Sequence, residues 1–170
     1  MCVAKPSTPA DHLAIERVLL RYCRAIDRCD AELLRSCYHD DAHDHHGPYR
    51  GDRDGFVDYA IGDLRARAES HGQLTTHLLS NILVDIDGDV ADAESYFRAS
   101  HVEDREDHFR VFEFNGRYID RFERRDGEWR IASRVVVHDW SEIRSNRRGL
   151  RPGTHDYAQG SLAPADPLYG

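Results

Sequence analysis

The sequence predicts an α+β fold: a cone-shaped barrel in which N-terminal helices pack into a curved, mostly antiparallel sheet. Three observations predict it. Helical periodicity is confined to the part of the chain before Ser70. From Leu74 onward the apolar pattern alternates with a period of two, as strands require. Two turns, Asp87-Gly88-Asp89 and Asp126-Gly127, divide the alternating region into hairpins. Helices first and strands second define the α+β class. A long curved sheet around an N-terminal helix leaves one open mouth, and the inward faces line a single apolar pocket.

Thr8-Pro9 reads as an N-cap with proline at the first helical position, opening a helix that runs to about Cys29. At 100° per residue, Arg17, Arg21, Arg24 and Arg28 share one narrow sector, and Ile15, Val18, Leu19, Tyr22 and Ile26 lie opposite. Asp27 leaves the arginine face and falls at the edge of the apolar sector, where a carboxylate is partly buried. Asp30 caps a second, short helix carrying Leu33, Leu34, Cys37 and Tyr38. A histidine-rich segment, "HDDAHDHHG" (residues 39–47), follows as a first strand. A third helix, from about Asp54 to Ser70, carries Val57, Ile61, Leu64 and Ala68 at helical spacing. "LTTHLLSNILVDI" and "DVADAESYFRASHV" form the first hairpin; "FRVFEFNGRYIDRFER" and "WRIASRVVVHDW" form the second. Glu103 to His108 is a charged connection. After Trp140 the chain is rich in Gly, Pro and polar residues. The expected boundaries are a barrel over 1–142 and a tail over 143–170 that covers the pocket or contacts a neighbouring subunit.

The 170 residues are one domain's worth, enough to bury a core without staples. Their net charge of −8 removes any general attraction for phosphate backbones, so nucleic acid is not an expected partner. No apolar run approaches the roughly 20 residues of a membrane helix, and "MCVAKPSTPADH" has no apolar core of a signal peptide. Cys2, Cys23, Cys29 and Cys37 lack CxxC spacing. They are expected to be reduced and structural, as in a cytoplasmic protein.

"AIERVLLRYCRAID", the histidine in "TTHLLSN", and "RFERRDGEWRIASRVVV", in that order and spacing, resemble the SnoaL-like branch of the nuclear transport factor 2-like superfamily. The resemblance covers about Asp11 to Trp140. The branch includes scytalone dehydratase, hexachlorocyclohexane dehydrochlorinase and a bile acid 7α-dehydratase. The resemblance implies a cone-shaped barrel with a buried His–Asp dyad and neither a metal nor an organic cofactor. Asp27 matches the family's helix-borne aspartate and His77 its strand-borne histidine. Tyr22, five residues before Asp27, has the spacing seen in the bile acid enzyme. His101 falls where scytalone dehydratase has a second histidine, and Arg134 where the dehydrochlorinase has an arginine. The histidine-rich first strand and the long tail depart from the family.

The residues bear their own reading. Alternation places Thr75, His77, Leu79 and Asn81 on one face. If that face looks inward, His77 meets Asp27 across the cone. A carboxylate on one ring nitrogen fixes the tautomer and frees the other nitrogen as a base. The alternative is a structural His–Asp bond. Arg134 shares a face with Val136 and His138, so it is either an inward anion-stabilising group or an ordinary ion pair. His101 is a second acid or a rim residue. Tyr22 is core or a phenol donor. On an extended strand His43 and His45 face one way and Asp44 and His46 the other, so the four cannot grip one ion together. The resemblance turns Asp44 and His46 toward the pocket. Expected catalytic residues are therefore Asp27, His77, Tyr22, His101 and Arg134. Asp44, His46, Leu79, Val136 and His138 are expected to line the pocket, and no metal site is expected.

These readings lead to a cofactor-independent lyase, a dehydratase-type enzyme acting on a hydrophobic hydroxy-carbonyl ring compound such as a steroid or polyketide. Ketone isomerisation and polyketide cyclisation begin with the same proton movement and stay open. So does a non-catalytic role like that of the beta subunits of ring-hydroxylating dioxygenases. Apolar Val135 and Val137 on the outer sheet face call for a partner subunit, and the resemblance favours a homotrimer.

Overall fold

The computed structural model describes residues 8–105, 108–147 and 158–169. Helix α1, Pro9–Arg28, opens on a capping box: the Thr8 hydroxyl accepts from the Asp11 N–H, and the Asp11 carboxylate accepts from the Thr8 N–H. It closes on Cys29 in the left-handed region (φ 52°). Its apolar stripe, Ile15, Val18, Leu19, Tyr22 and Ile26, is buried, and Arg17, Arg21 and Arg24 face water. Helix α2, Ala31–Ser36, is capped by Asp30 as expected, and the chain turns at Cys37 so that Tyr38 begins a strand rather than ending the helix. Helix α3, Arg53–His71, starts on the Asp52 cap and ends on Gly72 at φ 57°, a backbone conformation that glycine adopts without steric cost. It buries Phe56, Val57, Ile61 and Leu64.

The strands are β1 (Tyr38–His46), β2 (Tyr49–Asp52), β3 (Leu74–Asp87), β4 (Val90–Asp104), β5 (His108–Arg125) and β6 (Glu128–Arg147). They form one curved, unclosed sheet in the order β2-β1-β6-β5-β4-β3. Every pairing is antiparallel except β1 with β6, which the intervening chain makes parallel. Irregular register helps the long strands bend. One break lies in β3 between Ser80 and Leu83, where Asn81 takes φ 49°; others lie where Gly116 pairs with His138 and Asn115 with Trp140. Helix α1 lies against the concave side and contributes its buried stripe to a single core with Phe97, Tyr118, Phe122 and Ile131.

The structure extends the sequence reading at the C-terminal side. Strand β6 continues to Arg147, beyond the boundary expected at 142, because each residue past Trp140 finds a partner on β5. Residues 158–169 pack back onto the helices. The Ala163 N–H donates to the Arg28 carbonyl at 2.7 Å, Asp166 pairs with Arg28 at 3.1 Å, and the Tyr169 hydroxyl donates to Asp30 at 2.8 Å. None of these described tail residues lines the pocket. Cys23, Cys29 and Cys37 are free and buried, while Cys2 lies outside the described residues. Burial pushes the Cys23 thiol up to about 12 and the Cys37 thiol up to about 11, so both stay protonated. Among the described residues no helix is long and apolar enough to cross a membrane.

Candidate active site

The concave face of the sheet and helices α1 and α3 enclose a cavity of about 580 Å³. Its walls are aromatic: Tyr22, Phe56, Phe97, Phe112, Phe114 and Tyr118. The polar groups set into them converge from different elements. His77 comes from β3, His101 from β4, His46 from β1 and His138 from β6.

Asp27 and His77 meet as expected. The ring Nδ1 of His77 lies 2.7 Å from Asp27 Oδ1, and the backbone N–H of His77 donates to Asp27 Oδ2 at 3.0 Å. Both carboxylate oxygens are thus spent on one residue, which fixes the imidazole's position and orientation. The side chains are only 8% and 12% exposed, so the pair sits in a weakly screened environment. Asp27 stands behind His77 and does not itself line the cavity. With Nδ1 facing the carboxylate, the ring presents Nε2 as its proton acceptor.

His101 lines the same wall with its ring 6.2 Å from that of His77, edge to face. Its Nδ1 lies 3.3 Å from the Thr75 hydroxyl and 3.4 Å from the Gln73 amide. Burial, and then the neighbouring His77, push its pKa down to about 4, so it is a neutral imidazole at neutral pH. Tyr22 is fully buried but reaches the cavity wall, and burial raises its pKa, so it stays a protonated phenol. His46, Val136 and His138 line the cavity as expected.

Three expected residues stand elsewhere. Arg134 faces inward but lies beneath the wall, not on it. Its guanidinium forks onto Asp120 with two bonds of 2.7 Å and is sandwiched between the rings of Tyr22 and Tyr118, 4.0 and 4.1 Å from their centres. A fully buried carboxylate on the facing strand took the guanidinium that a ligand anion was expected to meet. Asp44 is also behind the wall, 2% exposed, accepting from the Tyr38 hydroxyl at 2.6 Å. Leu79 faces inward but packs against the core, not the cavity. Of the remaining histidines in the cluster, His43 is exposed. Among the described residues no three His, Cys, Asp or Glu side chains come together as a metal site.

Sequence reasoning missed Tyr118 and Asp120. Period-two alternation in "GRYIDRF" sets Gly116, Tyr118, Asp120 and Phe122 on one inward face, and an inward aspartate demands a cation on a neighbouring strand. Gly116 belongs to the same row. A Cβ there would stand 2.1 Å from the Val137 carbonyl and 3.0 Å from the Phe97 ring, so only glycine lets Phe97 lie flat on Tyr118 at 4.5 Å.

A histidine–aspartate dyad set into an aromatic-walled cavity is the kind of concave site that small molecules occupy. The SnoaL-like domain family matches residues 7–135, and the chain belongs to that branch of the nuclear transport factor 2-like superfamily. No curated protein matches the sequence at a significant level. Among solved structures, a candidate scytalone dehydratase from Novosphingobium aromaticivorans is 23% identical, covering 81% of this chain and 92% of its own, with a TM-score of 0.65. A protein of unknown function from Mycobacterium tuberculosis is 28% identical over 78% of each chain, TM-score 0.62. A type 2 hexachlorocyclohexane dehydrochlorinase is 18% identical, covering 85% of this chain and 95% of its own, TM-score 0.72.

Proposed function

We propose that the protein is a cofactor-independent lyase that removes water, or a comparable leaving group, from a hydrophobic hydroxy-carbonyl ring compound such as a steroid or polyketide. The observation that carries this is the Asp27–His77 pair, 2.7 Å apart and almost fully buried, with His77 on the wall of an aromatic cavity and Asp27 behind it. His77 Nε2 takes the proton beside a carbonyl, and Asp27 balances the imidazolium that results. Neutral His101 and the Tyr22 phenol are donors for the oxygen that gains charge or departs. Arg134 acts at one remove by holding Tyr22 and Tyr118 in place. The aromatic walls exclude water, which strengthens each of these interactions. That a candidate dehydratase and a dehydrochlorinase share the fold supports the reading. Ketone isomerisation and ring cyclisation use the same first proton transfer, and product analysis separates them from elimination.

The same proposal places the work in a homo-oligomer, with a trimer favoured. Leu78, Tyr96, Ile119 and Val135 are 38–60% exposed on the convex side of the sheet, where a partner subunit would shield them. A thermal-shift screen of hydroxy-steroids, hydroxylated polyketides and chlorinated alicyclics should identify binders, and mass analysis of turned-over binders should show loss of water or hydrogen chloride. Binders that are never converted, or that are converted at the wild-type rate by a folded His77→Ala protein, would end this reading.

A further inference from the structure

We propose that Gln73, with Thr75 beside it, is a positioning residue: the two side chains hold His101 with Nδ1 as an acceptor and its proton on Nε2, the reverse of the form in which Asp27 holds His77. The inference rests on the cavity being the reacting site, as in the proposed function, and adds what makes its second histidine a donor rather than a second base.

Local geometry brings the groups together. Helix α3 ends on Gly72, and the Gln73 N–H donates back to the Arg67 carbonyl at 3.5 Å, which fixes where the chain leaves the helix. From there period-two alternation turns Gln73, Thr75 and His77 inward. His101 is the register partner of Thr75 on β4, so Thr75 faces it directly and His77 and Gln73 flank it on the two diagonals. The His101 ring meets His77 edge to face, 6.2 Å between centres, and its Nδ1 lies on the side of Thr75 and Gln73.

The chemistry of those partners places the proton. The Gln73 amide nitrogen, 3.4 Å from Nδ1, can only donate. The Thr75 hydroxyl, 3.3 Å from Nδ1, is free to rotate and donate to the same nitrogen. Burial, and then the neighbouring His77, pull the His101 pKa down to about 4, so the ring carries one proton at neutral pH. With Nδ1 kept as an acceptor, that proton is on Nε2, the nitrogen left for the cavity. One wall thus offers an acceptor, His77 Nε2, beside a donor, His101 Nε2–H.

Packing does not account for Gln73. It is 3% exposed, and its Oε1 is buried without a hydrogen-bond partner. A half-satisfied buried amide costs stability, and an apolar side chain would serve the core better. What the other end of the amide does for His101 explains its place. The charged and titratable groups around His101 are His77 from β3, Asp27 from α1, and Asp63 and Arg67 from α3; Phe114 faces it from β5, with His138 of β6 beyond.

The test is nitrogen NMR of the full, ligand-free chain, which separates a protonated ring nitrogen from a bare one. At neutral pH wild-type His101 should be protonated on Nε2 and bare on Nδ1. Gln73→Glu keeps the shape and replaces the donor by an acceptor. The His101 proton should then move to Nδ1, and its titration midpoint should rise by about one pH unit or more, the effect of a nearby carboxylate. In Gln73→Leu/Thr75→Val, which removes both donors, the two ring nitrogens should share the proton. Circular dichroism confirms the fold of each variant. On the identified substrate, kcat of Gln73→Glu should fall about tenfold or more with KM within a few-fold, the pattern of a group that acts in the transition state. Three results would overturn the proposal: wild-type His101 protonated on Nδ1, a His101 proton unmoved in both folded variants, or an unchanged kcat in a Gln73→Glu protein whose His101 proton has moved. The NMR results need no substrate, so they stand apart from the lyase reading, which rests on turnover by His77 variants.

Discussion

Replacing Arg134 by methionine should destabilise the fold more than any change to an exposed ion pair. The side chain is 0% exposed and its partner Asp120 1%, so neither charge has water to fall back on. Methionine fills much of the volume but leaves Asp120 buried and alone, without its two 2.7 Å bonds. Burial already raises the Asp120 pKa, and only Arg134 opposes that rise strongly. Breaking a buried pair from one side costs about 3–5 kcal/mol. Loss of the guanidinium between Tyr22 and Tyr118 removes two cation–π contacts as well. For a chain of this size the thermal midpoint should fall by roughly 6–20 °C. Urea unfolding followed by fluorescence and circular dichroism measures it. The double variant Arg134→Met/Asp120→Leu should recover a large part of the loss, because the orphaned charge goes with it. A single-variant loss below about 1 kcal/mol would refute the reasoning, since that is the scale of exposed pairs.

Gly116→Ala should cost about 1–3 kcal/mol, the usual range for overpacking, because its Cβ has a backbone carbonyl 2.1 Å away; an unchanged thermal midpoint would contradict this. His101 gives a pH signature. Its folded pKa, about 4, lies below the ordinary 6.5, so its neutral form is favoured by folding. That contribution is fully present above pH 6.5 and is lost as the pH falls toward 4, by about 3 kcal/mol. His101→Gln should flatten this acid limb in denaturation curves taken from pH 7 to 4; an unaltered limb would show that His101 is not the group responsible. Light scattering should report a multiple of the 19.5 kDa chain, three copies being favoured, and a monomer at micromolar concentration would remove the proposed role of the convex face.

Much of this architecture was legible because it rests on local rules. The Thr8 cap, the arginine and apolar sectors of α1, the Asp30 cap and both hairpin turns each follow from a few adjacent residues, and each stands in the structure. Asp27 was legible as an anomaly, a carboxylate on the wrong side of an amphipathic helix, and its partner followed from strand alternation and the family spacing. What the sequence obscured depends on pairings between distant strands. Arg134 looked available to a ligand until β5 supplied Asp120 beside it. Asp44 and Leu79 share the inward faces of their strands, but alternation says which side a residue takes and not how deep in the cone it lies. The extension of β6 past Trp140 was hidden because its exposed half carries polar residues, which read as a tail, and is held by ladder bonds to β5.

The central claim is that Asp27 and His77 act as one chemical unit. It is tested most directly by turnover of the identified substrate in His77→Ala, Asp27→Asn and the double variant, each shown to be folded. His77→Ala should lose on the order of 10²–10⁴ in kcat, the range for a general base, and Asp27→Asn a comparable factor. The double variant should be little worse than the worse single one, because groups that work as a unit lose their effect together. A folded His77→Ala protein with near wild-type turnover, or single losses that multiply in the double variant, would contradict the account.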